Sequence, residues 1–142
     1  MSTTGYTYSW RRERFLAIHD VTTDTIKAAL FTSAATLTPA LTTAYSATGE
    51  ATGTGYSAGG VTLTGVSLSS AAATVYVDWG DIAFGTISTS FDTLLLYNAS
   101  KANRAILILA LPQTYTVTSQ TVTFTLPSPS VDTAFLRLTA VP

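Results

Sequence analysis

The sequence predicts an all-β fold, an antiparallel β-sandwich of about eight strands preceded by a short N-terminal helix and arm. Three observations predict it. Short segments alternate apolar with small polar residues at close spacing, as half-buried strands do. No long helical periodicity follows the first two dozen residues. The composition is also that of a sheet protein: 28 Thr, 20 Ala and 14 Ser make up 62 of the 142 residues, and only 11% of the chain is charged. Ordinary soluble domains carry roughly 25% charged residues. The length is that of one domain. Arg11, Arg12, Glu13, Arg14, Asp20, Asp24 and Lys27 hold seven of the fifteen charges, which divides the chain into an arm over 1–24 and a nearly neutral body over 25–142.

In the arm, Tyr6, Tyr8 and Trp10 alternate with small polar residues like a strand. Trp10 to His19 then reads as a helix with Ser9 as its N-cap, and Trp10, Arg14, Phe15 and Ile18 fall near one face. Thr22, Thr23 and Thr25 discourage its continuation. In the body, Thr25 to Thr32 is a strand and Thr38 to Gly60 a long ordered loop. Val61 to Leu68 alternates but changes phase at Gly65, the mark of a bulge or bend. Thr74 to Trp79 sets Val75, Val77 and Trp79 on one face. Ile82 to Ile87 is a short strand or extended link.

Thr93 to Tyr97 and Arg104 to Leu111 flank the polar stretch Asn98 to Asn103 and predict a hairpin of two central strands. In the second of these, Leu107 and Leu109 are expected on one face and Ile106 and Ile108 on the other. Tyr115 to Thr118 is a weak strand. Thr121 to Leu126 places Val122, Phe124 and Leu126 inward, and Pro127 and Pro129 stop it. Thr133 to Val141 is the last strand.

The residues of catalysis are scarce. His19 is the lone histidine and there is no cysteine, so a catalytic triad would have to be built around a residue of the charged arm. Asp78, Asp81 and Asp92 are the nearest approach to a cation site, and their place at a strand end reads instead as turn capping. Gly49 to Gly60 is dense in glycine but lacks the Lys-Ser/Thr of a phosphate loop, so it reads as a tight turn entering a strand. Asn98-Ala-Ser100 fits a glycosylation sequon, and Asn is also a good turn residue. No catalytic residue, metal or cofactor is expected. A net charge of −1 gives no electrostatic footprint for nucleic acid. The longest apolar run, Ala105 to Leu111, is far too short to span a bilayer. The opening residues lack the apolar segment of a secretory leader, so neither export nor a membrane anchor is expected.

Four pieces of the body carry a family resemblance: Asp24-Thr-Ile-Lys-Ala-Ala-Leu-Phe-Thr-Ser33; Ala44-Tyr-Ser-Ala-Thr-Gly-Glu50 running into Gly53-Thr-Gly-Tyr-Ser-Ala-Gly-Gly60 and Val61-Thr-Leu63; Val77-Asp-Trp-Gly-Asp81; and Leu96-Tyr-Asn98 with Asn103-Arg-Ala105, followed by an apolar strand and Thr123-Phe-Thr-Leu126. In this order they resemble a family of small structural proteins of tailed-bacteriophage virions, with Gly-Tyr-Ser-Ala-Gly-Gly the most specific piece. The resemblance implies a β-rich virion component with a capsid decoration or cement role, and it brings no catalytic residues.

The expectation is therefore a capsid cement protein on the virion surface, bound to the major capsid protein and to copies of itself, most simply as a trimer. A body so poor in charge suits burial in an assembly. A tail or neck component is the alternative, and a carbohydrate-binding or carbohydrate-active module, with Tyr76, Trp79 and Phe84 as stacking rings, the remote one. The expected partner-binding residues are in the arm: Tyr6, Tyr8 and Trp10, of the type enriched at interface hot spots, with Arg11, Arg12 and Arg14.

Overall fold

A computed structural model describes residues 1–71, 73–127 and 136–139. In chain order the elements are β1 (Gly5–Tyr6), α1 (Tyr8–Phe15), β2 (Ile26–Phe31), β3 (Val61–Thr62), β4 (Ser67–Ala71), β5 (Thr74–Asp78), β6 (Ile82–Asn98), β7 (Arg104–Phe124) and β8 (Leu136–Thr139). The pairings among them are antiparallel. They form a five-stranded sheet in the order β1-β7-β6-β2-β3 and a three-stranded sheet in the order β4-β5-β8. The fold class is the expected one, mostly β with one short helix. The main core is gathered by β2, β6 and β7, and the small sheet joins it through Val77 and, just past β5, Trp79.

Several segments that read as separate strands are continuous. Ile82–Ile87 and Thr93–Tyr97 are the two ends of the 17-residue β6, and everything from Arg104 to Phe124 is the 21-residue β7. The interruptions in their alternation are bulges within one long hairpin, between Ala83 and Gly85, Ile87 and Thr89, Phe91 and Thr93, and Leu96 and Tyr97. Each bulge adds twist and bends the strand without ending it. Val61–Leu68 does the reverse. It breaks at Gly65, whose φ of +68° is a left-handed conformation, and its two ends go to different sheets as β3 and β4. In Thr74–Trp79, Val77 and Trp79 are buried as expected, while Val75 is exposed. Of the expected strand Thr133 to Val141, Leu136–Thr139 pairs with β5; the rest lies outside the described residues.

Leu107 and Leu109 share the main-core face of β7 and Ile108 the other, as expected, while the bulge at the end of β6 corrects the facing of Ile106. Leu96 pairs with Leu107 and Tyr97 with Ala105, so Ile106 is the unpaired extra residue. Ile106 and Leu107 consequently both enter the main core, while Ala105 and Ile108 join a second cluster with Phe31, Leu95 and Tyr97. A one-residue insertion inverts the facing of everything beyond it.

The loop from Thr32 to Gly60 has little regular structure, yet it is fixed at its centre by Glu50. Tyr45 OH donates to Oε2 (2.6 Å), while Tyr56 OH (2.8 Å) and Gly59 N–H (2.7 Å) donate to Oε1. Tyr56 OH also accepts from Leu30 N–H, and Tyr97 OH donates to Gly59 O, so the loop is tied to β2 and β6. The loop lies against backbone. A Cβ at Gly60 would stand 1.8 Å from Ala28 O, and one at Gly53 1.9 Å from Ser88 O. The glycines are therefore demanded by close approach, in keeping with the turn reading and not with a phosphate cradle.

Three outcomes follow. Leu95→Ala, at a fully buried position, destabilises the protein by about 2–5 kcal/mol in chemical denaturation. Leu109→Ala, half-buried, costs roughly half as much. Burial, and then the Glu50 charge, push the Tyr56 and Tyr97 phenols well above their ordinary range, and burial with the Glu50 hydrogen bond does the same for Tyr45. A folded-state pKa raised above the unfolded value gives stability that is complete below about pH 10 and lost as pH rises beyond it. Phenolate absorbance should thus show a late alkaline step that coincides with loss of the sheet's circular dichroism.

Candidate partner-binding surface

Helix α1 begins at Tyr8, two residues earlier than the sequence suggests, and its N-cap is Thr7 and not Ser9. Thr7 is fully buried. Its Oγ1 accepts from Trp10 N–H (3.2 Å) and donates to Ala105 O (2.7 Å), and its own N–H donates to Ile106 O (2.9 Å). The cap is thus seated on the two carbonyls beside the bulge of β7. On its other side, Tyr8 N–H donates to Pro39 O (2.8 Å).

The shift of the helix start rotates the expected faces. Trp10 and Glu13 are the buried residues of α1. Trp10 is 2% exposed and packs on the His19 ring at 4.4 Å between centroids. Phe15, expected beside Trp10, faces the opposite way and is 90% exposed. Ile18 is not on the helix at all: α1 ends at Phe15, and Ala17 takes a left-handed φ of 52°.

Behind the helix lies a polar cluster. Glu13, 4% exposed, receives the Arg104 guanidinium on Oε1 and His19 Nε2 on Oε2 (2.7 Å for the latter). Asn98 is fully buried. Its Oδ1 accepts from Ser100 N–H, which orients the amide so that Nδ2 donates to Asp24 Oδ2 (2.7 Å) and to His19 Nδ1 (3.0 Å). This pattern assigns the proton facing Glu13 to His19 Nε2. Lys101 lies 3.5 Å from Asp24 Oδ1. Burial would raise the Asp24 pKa, but the hydrogen bonds from Asn98 and Asp20 N–H together with Lys101 outweigh it and hold the carboxyl below its ordinary value. The cluster joins the arm to both strands of the β6–β7 hairpin.

The six expected partner-binding residues therefore separate. Tyr6 is half-buried and its strand pairs with β7 opposite Leu107. Trp10 is withdrawn from any partner because it is a core residue of its own domain. Arg14 is half-buried, with its Nε enclosed and without a hydrogen-bond partner among the described residues. Tyr8, Arg11 and Arg12 do face solvent, with the Arg11 guanidinium over the Tyr8 ring at 5.4 Å. Beside them are two residues sequence reasoning did not assign to this surface, Phe15 and the exposed Leu16. The signal was the spacing from Tyr8: residues 8, 11, 12 and 15 share one face when the helix starts at 8. Glu13 of the arm is ion-paired with Arg104 of the body. Arg11, Arg12 and Arg14 are not ion-paired among the described residues.

The remaining candidates resolve into structure. Asp78 Oδ1 accepts from Trp79 N–H, Asp81 Oδ1 from Leu126 N–H and Asp92 Oδ1 from Thr93 Oγ1. The three do not converge, and no group of three metal-ligating side chains occurs among the described residues. Trp79 and Phe84 are buried and cannot stack on a sugar; Phe84 lies against Tyr56 and Phe124. Asn98 is enclosed and, once folded, cannot serve as a glycosylation acceptor. No helix among the described residues is long and apolar enough to cross a membrane.

Opposite outcomes are expected for the two aromatics of α1. Trp10→Ala destabilises the fold by about 3–5 kcal/mol. Tyr8→Ala changes the stability by no more than about 0.5 kcal/mol. Equilibrium denaturation of the two variants checks both. Comparisons of the chain with protein-family models, with curated proteins and with solved structures find no match.

Proposed function

We propose that this chain is a structural component of a tailed-bacteriophage virion, a non-enzymatic capsid cement protein carried on the head surface. It binds the major capsid protein through the solvent face of α1 and also associates with copies of itself. The observation that carries the binding surface is Phe15. It is 90% exposed, next to Leu16, on a helix whose opposite face is held to the body by Thr7, Trp10 and Glu13. Large apolar side chains displayed on a rigid element and flanked by Tyr8, Arg11 and Arg12 have the composition of an interface anchor. The two arginines lack ion-pair partners among the described residues, so carboxylates of a partner can receive them in directional pairs. The resemblance of the body to small virion proteins supplies the identity of that partner.

Deleting the first ten residues would not test this reading, since it removes the helix cap and Trp10 with the arm. The double variant Arg11→Glu/Phe15→Ser alters the outer face alone. It is expected to melt like the wild type and to be lost from purified particles. In wild-type particles the chain should be present in proportion to the major capsid protein. A few copies at one vertex would assign it to the tail or neck, and full occupancy by the double variant would remove α1 as the anchor.

A further inference from the structure

One long strand of the five-stranded sheet, β7, has no described neighbour along the distal half of its outer edge. Strand β1 covers β7 only at Leu107 and Ile108, and the Thr4 hydroxyl brackets Ala110 by accepting from its N–H (2.9 Å) and donating to its carbonyl (3.3 Å). From Tyr115 to Phe124, β7 is paired with β6 on one side, and no other described strand lies on its far side. Exposed strand edges present unpaired N–H and C=O groups, and proteins ordinarily guard them with charges, inward-pointing lysines or a covering element. Among the described residues this edge carries no charge and no covering element, and it is interrupted by a bulge at Thr118 and Ser119, where Ser119 takes a left-handed φ of 49°. No charged residue occurs between Arg104 and Asp132. The segment is instead Thr-Tyr-Thr-Val-Thr followed by Thr-Val-Thr-Phe, which is rich in the residues that favour strands.

A second observation lies on the same strand. One face of the hairpin bears two adjoining apolar cavities, of about 310 Å³ and 230 Å³, which share Thr123 and Phe124. Leu109 and Leu111 line one each, and Phe91, Tyr115 and Val122 line the smaller. Open backbone and open apolar surface therefore run side by side along the distal half of β7.

We infer that the β7 edge is where two copies of this chain join, pairing antiparallel about a two-fold axis into one continuous sheet. The inference rests on the self-association in the reading above and specifies its surface. Charge selects the occupant. A charged partner finds nothing to grip along Gln113–Phe124, whereas two copies of an uncharged edge meet without repulsion. An antiparallel strand pair is self-complementary, which is the requirement of a two-fold interface. The pairing satisfies the open backbone groups of both edges and sets the two apolar faces next to each other. The hydroxyl rows already formed within the hairpin, Ser90 with Thr116 (2.8 Å) and Thr86 with Thr121 (3.3 Å), lie beside the new seam. A contact of this kind produces a dimer, in place of the trimer expected from the sequence.

The chain contains no cysteine, so single substitutions give an unambiguous cross-linking readout. Thr114→Cys, Thr116→Cys, Thr118→Cys, Thr121→Cys and Thr123→Cys are made in the full chain and oxidised, with Thr22→Cys on an exposed loop as the control. Pairing about a two-fold axis links one position, or two adjacent ones, to itself far more completely than the rest, because a disulfide tolerates Cα separations of only about 4.4–6.8 Å. Sedimentation of the wild type should give a dimer. Thr114→Lys/Thr118→Lys should weaken that association by about tenfold or more, with unchanged circular dichroism and melting. Absence of any β7 link above the control, or a Lys variant of unchanged mass, overturns the inference. So does a trimeric mass without β7 links, which moves self-association to another surface and leaves the virion reading intact. A monomer whose β7 amides become protected from exchange only on the shell gives the edge to the capsid protein and likewise overturns it.

Discussion

Glu50 stands at the middle of a segment of nearly thirty residues that has almost no regular hydrogen bonding, from Thr32 to Gly60. A carboxylate enclosed at such a place is tolerated only when donors converge on it, and here two phenols and a backbone N–H do so. Because one of those phenols also receives Leu30 N–H, and Tyr97 holds Gly59 from below, the carboxylate fixes the loop to the two strands it crosses. The chain has only two glutamates, and both are buried organisers of this kind. Glu13 does for the arm what Glu50 does for the loop. In a protein with so few charges, the position of each is set by what it must hold together.

That arrangement separates an inner from an outer role in the arm. The inner face, with Thr7, Trp10 and Glu13, belongs to the folding unit, so residues 1–24 are part of the body and not an appendage to it. The outer face, with Tyr8, Arg11, Arg12, Phe15 and Leu16, is held in place by the inner one. An interface borne on a helix locked by a buried cluster loses little conformational freedom when it binds. The aromatic and arginine content that marked the arm as a binding element was a correct description of its composition. It could not say which aromatic points which way.

The features legible in the sequence were those set by local pattern. Alternation in Thr121–Phe124 and the apolar runs on either side of Asn98–Asn103 gave the hairpin and its turn, and Gly65 marked a real break. Features that depend on an insertion were hidden. The unpaired Ile106 changes its own facing without altering the hydrophobicity of the strand, and the register shifts at Phe84 and Ser88 make one strand look like two. The helix start was missed because Ser9 and Thr7 are equally good caps in isolation. What favours Thr7 is a pair of carbonyls about a hundred residues away, at Ala105 and Ile106. The polar cluster was unreadable for the same reason: Glu13, His19, Asp24, Asn98 and Arg104 are brought together only by the closed sheet.

That separation between the cap and its seat has a consequence for the order of synthesis. Thr7 leaves the ribosome among the first residues, and the carbonyl it bonds to is 98 positions further on. Strand β1 and the Trp10 pocket wait equally long. The hairpin of β6 and β7, by contrast, closes over a connection of five residues, Ala99 to Asn103. Short closures are made early and long ones late. The nascent chain therefore holds an aromatic segment unsheltered until β7 emerges, and the arm finds its place only then. The strand that seats the arm is also the one whose far edge no other described strand covers, so the surface available for association comes into being at the moment the arm docks.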